Sequence, residues 1–132
     1  MLRTRLMLMA QGVVRDAETN VISVYNIFED INVMGFPFFI QSFFVLTFFT
    51  KDEGDPNEFE CLVEIRNNDN LLASFPARLN FQNTLRNRLI SQVRGIAIPT
   101  PGTLTARIMH GDEEITSCSL NLRLIEPPEI RQ

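Results

Sequence analysis

The chain has 132 residues, enough for one domain with its own hydrophobic core, since a chain of this size buries roughly 68–70% of the surface its unfolded form exposes. With 45% apolar and 21% charged residues it lies outside the composition of disordered chains. Its net charge of −4 argues against a protein that holds nucleic acid by clustered Lys and Arg.

Cys61 and Cys118 are too few for a disulfide framework and fall in strand-like segments, so buried thiols in a reducing compartment are expected. The opening MLRTRLMLMAQG places Arg3 and Arg5 ahead of an apolar run of only five residues, Leu6 to Ala10, shorter than a signal peptide needs. With no 18-residue apolar span, no glycosylation sequon and no lipidation signal, the expectation is a cytoplasmic protein that enters no membrane.

Period-2 patterning begins at once. Leu2, Leu6, Leu8 and Ala10 form the expected inward face of a first strand, Met7 and Met9 compromise its outer face, and Gly12 marks a bulge or bend. The polar turn 15–20 leads to 20–33, a β-branched and aromatic stretch that is apolar on both faces and is expected to sit centrally or to be covered twice. The Phe-rich stretch 36–50 follows, with seven of the eleven Phe residues and no charge. Pro37 splits it into an irregular approach, 36–41, and a strand, 42–50.

Residues 51–57 are a loop rich in acids, Gly and Pro. The stretch 58–66 then gives the cleanest alternation, Phe59, Cys61, Val63 and Ile65 inward against Glu58, Glu60, Glu64 and Arg66. A turn at 67–70 precedes the alternating stretch 71–82, where Pro76 signals an edge strand or a break. Residues 83–92 are ambiguous: Leu85, Leu89 and Val93 have helical spacing, whereas Ile90, Ile96 and Ile98 suit a strand, and a short turn or helical piece before a strand at 89–98 is favoured. PTPG (99–102) is a turn, 103–109 alternates, Gly111-Asp112 is a hairpin signal, and the return strand 115–125 points Cys118, Leu120, Leu122 and Leu124 inward.

About eight short strands with turn signals at roughly 8–12-residue spacing predict an all-β, two-sheet antiparallel sandwich, with a closed barrel as the alternative. Residues 1–126 form the single domain and 127–132 a polar tail. The stretch LMLMAQGVVRDAETNVISVYNIFEDINV, Gly35-Phe36-Pro37 and the PTPGTLTARIMHGDEEI hairpin together resemble an uncharacterised bacterial family of about this length, a domain of unknown function. The resemblance covers nearly the whole chain. It implies the sandwich and a bacterial origin, and lends no active site.

The chemistry-bearing residues are sparse. The single histidine, His110, cannot build a zinc site or a two-His oxygenase centre and is read as a surface turn residue. No nucleophile elbow or phosphate-binding loop is present, so neither an enzyme nor a cofactor is expected. Arg86, Arg88 and Arg94 read as a solvated side of one element. The acidic loops at 52–55 and 112–114 suggest calcium or small-ligand binding as a secondary reading, although neither has the usual calcium-loop pattern, and no metal ligand is singled out.

The main functional expectation is a protein-interaction or assembly module, its partner another protein or a second copy. Strand 42–49 is apolar on both faces, so its second face must be covered by the chain's own 36–41 or 83–92 segments, or by another subunit. Phe36, Phe38, Phe39, Phe44 and Phe48 are the candidate contact residues.

Overall fold

A computed structural model describes residues 1–126, so the expected tail at 127–132 lies outside the described residues. Nine strands succeed one another: β1 (Arg3–Arg15), β2 (Ile22–Ile27), β3 (Asp30–Val33), β4 (Phe38–Thr50), β5 (Glu58–Asn67), β6 (Asn70–Asn80), β7 (Arg86–Ile98), β8 (Gly102–His110) and β9 (Glu113–Leu124). They form two sheets, β2-β1-β4-β7 and β3-β9-β8-β5-β6, an all-β sandwich with no closed barrel among the described residues. Every pairing is antiparallel except β3 with β9, which is parallel. The core between the sheets is built from Phe43, Val45, Phe49, Val63, Ile65, Ile98, Leu104 and Ile108, all essentially inaccessible.

Several expectations are corrected. The stretch 20–33 is neither one strand nor central: it divides into β2 and β3, each an edge strand of a different sheet. The approach 36–41 is not irregular beyond Pro37, because β4 runs unbroken from Phe38. No helical piece occurs at 83–92, since β7 begins at Arg86 and pairs with β4 along its whole length. Pro76 does lie in an edge strand, β6, without breaking it.

The first strand is inverted relative to its pattern. The β1–β4 register shifts between Thr4 and Leu6, which leaves Arg5 as the extra residue of a bulge. One inserted residue turns every later side chain to the opposite face. Met7 and Met9 therefore join the core, while Leu6 lies outside it and is half exposed. Gly12, expected to mark the bulge, pairs in register with Tyr25, whose ring occupies the space a Cβ at that position would need.

Two polar residues, one read as solvent-facing and one as part of a turn, are also corrected. Glu64 is buried on the outer face of its sheet, where Oε1 accepts from Nε of Arg107 at 2.5 Å and from Nε of Arg66 at 3.2 Å. Asn67, read as a turn residue, is fully buried. Its Oδ1 accepts from the N–H and hydroxyl of Thr100, and its Nδ2 donates to the carbonyls of Thr100 and Thr103. The PTPG turn is thereby tied to the end of β5.

Candidate interaction cleft

The Phe-rich strand β4 has two faces and two edges, and each is dealt with differently. Phe43, Val45, Thr47 and Phe49 face the core. Phe44, Leu46 and Phe48 face away from it, opposite Ala10, Leu8 and Leu6 on one side and Gln92, Ile90 and Arg88 on the other. Neither 36–41 nor 83–92 covers this outer face as a layer, because 38–41 and 86–92 are themselves strand residues of the same sheet.

The β1–β2 hairpin supplies the cover instead. Arg88 of β7 donates through Nη2 to the carbonyl of Asn20 at 2.9 Å and to its Oδ1 at 3.0 Å. Because β4 separates β1 from β7, the hairpin tip can reach Arg88 only by crossing the outside of β4. Leu46 is accordingly only 1% exposed although it is not part of the inter-sheet core, and Ala10 is equally sealed. Ile22, Val13 and Val24 are half-buried and likewise stand apart from the core cluster.

Covering one part of the strand opens another. Pairing of β1 with β4 stops at Ala10 opposite Phe44, whereas β7 continues along β4 to Phe38. From Phe38 to Phe43, β4 is thus bonded on one side only among the described residues. The space beside that free edge is a cleft of about 430 Å³, with Gln11, Tyr25 and Phe28 on one wall and Phe38–Ser42 on the other. No charged side chain lines it.

The five candidate contact residues divide across this geometry. Phe36 and Phe38 pack against the core, although Phe38 also borders the cleft. Phe44 and Phe48 belong to the hairpin-covered outer face and are half-buried. Phe39 stands in the cleft and is 61% exposed, beside the half-exposed Tyr25. Sequence reasoning missed Tyr25 because a lone aromatic in an apolar strand reads as core; the glycine beneath it was the available signal.

Elsewhere the side chains are occupied structurally. Both cysteines are free thiols whose pKa values are raised by burial, that of Cys118 to about 11, so they stay protonated at neutral pH. His110 is exposed at the end of β8, with Nδ1 3.0 Å from the Glu60 carbonyl. The two acidic loops lie at the same end of the sandwich, yet Asp52 and Asp55 meet the Met1 amino group and Asp52 also meets Arg3 at 2.6 Å, while Glu114 lies 3.6 Å from Arg107. Among the described residues no three His, Cys, Asp or Glu side chains are grouped to hold a metal ion.

The fold and cleft define an all-β sandwich in which the interior strand β4 leaves part of one edge unpaired, and no helix among the described residues is long and apolar enough to cross a membrane. Residues 5–123 match the model of DUF6941, a family of unknown function, and the chain belongs to that family. No curated protein matches the sequence.

Proposed function

We propose that this domain is a non-enzymatic protein-interaction module that receives an extended segment of a partner protein at the free edge of β4, between Tyr25 and Phe39. The observation that carries the reading is the half-paired backbone of Phe38–Phe43 beside an uncharged, aromatic-walled cleft. Strand addition of this kind draws affinity from main-chain hydrogen bonds and specificity from pockets for alternate side chains. A concave cleft suits an inserted segment better than the face of a second folded copy. The same reading sets the protein in the cytoplasm, in keeping with its two free thiols. Calcium or small-ligand binding by the acidic loops is the less favoured reading, since Asp52, Asp55 and Glu114 already meet cationic groups.

The test is selection of peptides from a random library on the immobilised domain, followed by titration in solution. The expected result is a set of apolar segments whose affinity falls at least tenfold in Tyr25→Ser and Phe39→Ser, with little change in the unfolding midpoint. Failure to select any peptide, or selection of peptides that bind both variants as well as the native domain, would overturn the reading. A native domain that light scattering shows to be a dimer, with Phe39→Ser monomeric, would transfer the cleft to self-association.

A further inference from the structure

A second cleft, of about 270 Å³, lies at the opposite end of β4 and is lined by Arg5, Arg86 and Arg88 together with Asn20, Asn87 and Phe48. Its arginines come from two strands flanking β4 and stand about eighty residues apart in the chain. Arg94, grouped with Arg86 and Arg88 by sequence, does not line it.

We propose that this cleft binds a phosphoryl or similar dianionic group, gripped by Arg5, Arg86 and Arg88. Three observations carry the inference. First, this is a chain with an excess of acids, 16 against 12 bases, yet three arginines line one small cleft. Second, no acid neutralises these three arginines among the described residues. Arg3, Arg66, Arg78 and Arg107 are ion-paired, but among the described residues no carboxylate pairs with Arg5, Arg86 or Arg88. The Asp16 carboxylate in the neighbouring hairpin turn is taken by the N–H groups of Glu18 and Thr19, and Asp52 is held by Met1 and Arg3.

Third, Arg5 is the extra residue of the β1 bulge, and bulges recur next to functional sites because they re-aim a side chain. Without it, Arg5 would not share its position with Leu6 beside Phe48. Arg88 is anchored by the two oxygens of Asn20, which fixes one guanidinium in advance, while the guanidinium groups of Arg5 and Arg86 make no hydrogen bond among the described residues. The Phe48 ring gives an apolar floor, where charge-assisted hydrogen bonds are screened less than in open water. Planar guanidinium forks suit phosphoryl oxygens bidentately, and three of them match a dianion better than a single carboxylate.

The cleft is separate from the β4 edge, and the test does not depend on that reading. Arginine Nε–Hε resonances of the full chain would be followed by NMR during titration with inorganic phosphate, sulfate and acetate at constant ionic strength, and with a phosphoserine peptide and its unphosphorylated form. Expected are saturable shifts of Arg5, Arg86 and Arg88 with phosphate and sulfate, weaker ones with acetate, and at least a tenfold loss of phosphate affinity in Arg5→Gln and Arg86→Gln. Arg94→Gln serves as the control and retains affinity. Tighter binding of the phosphopeptide than of phosphate assigns the group to a modified protein; equal binding assigns it to a free anion. Linear shifts without saturation, or equal loss in Arg94→Gln, would overturn the proposal.

Discussion

Arg88 and Asn20 are 68 positions apart, and the two hydrogen bonds between them hold the tip of the β1–β2 hairpin across the outside of β4. Since β2 pairs with β1 alone, this contact is the main tether at the tip of an edge strand. Replacing Arg88 with Ala is expected to cost about 1 kcal/mol, below the roughly 1.5–3 kcal/mol usual for hydrogen bonds to a charged group because the site is partly solvated. Hydrogen exchange should accelerate in β2 and at Leu46 while the amides of β5 and β8 keep their protection.

Gly12 and Tyr25 make a coupled pair of a different kind. A methyl group at Gly12 would displace the Tyr25 ring, which has room to swing outward because it is half exposed. Gly12→Ala should therefore destabilise the native protein by about 1 kcal/mol, toward the low end for overpacking. In a Tyr25→Ala background the same change should become neutral or stabilising, since Ala restricts the unfolded chain more than Gly does. Denaturation midpoints of the four proteins in the cycle check this sign reversal.

Asn67 uses both ends of its amide, accepting from Thr100 and donating to two carbonyls. A carboxylate of the same shape keeps the acceptor and loses the donor, so Asn67→Asp should destabilise even though it preserves volume. The expected loss is about 2–4 kcal/mol for Asp, which buries a charge facing the carbonyls that Asn67 Nδ2 donated to, and about 2–3 kcal/mol for Ala, which forfeits the four hydrogen bonds of a fully buried side chain, read from urea unfolding.

The acid limb of stability should carry the signature of Glu64. Its pKa is lowered from the ordinary 4.5, chiefly by the hydrogen bond from Arg107 against an opposing desolvation, with Arg66 adding to it. A depressed carboxylate stabilises the fold fully above its unfolded value and loses that contribution as pH falls through its folded value. Glu64→Gln is therefore expected to be less stable by about 1 kcal/mol at pH 7, and the difference should shrink as the pH falls below the ordinary 4.5 and through the lowered folded value. Thermal unfolding across pH 2.5–7 measures it.

What the sequence disclosed follows from where one residue decides one thing. Phe59, Cys61, Val63 and Ile65 all point inward as their alternation demands, because β5 lies inside its sheet with no bulge before Arg66. In β1 a single unpaired residue, Arg5, reverses the faces of Leu6 to Met9, and no pattern in the residues themselves reveals a bulge that depends on how β4 pairs. Glu64 looked like any outward acid until Arg107 was placed opposite it by the β5–β8 register. The excess apolar face of 42–49 was visible; that β2 would cover it, and that the uncovered part of β4 would be its edge, is a matter of topology. For the same reason Arg5 could not be grouped with Arg86 and Arg88 beforehand.

The most direct measurement of the proposed function is amide hydrogen exchange along β4, with and without a selected peptide. In the free domain, alternate amides from Phe38 to Phe43 should exchange faster than those from Phe44 to Phe49, which lie between two strands. Saturation with the peptide should slow those fast amides at least tenfold and leave β8 unchanged. Uniform protection along β4 in the free domain, or a bound peptide that leaves 38–43 as labile as before, would contradict the account.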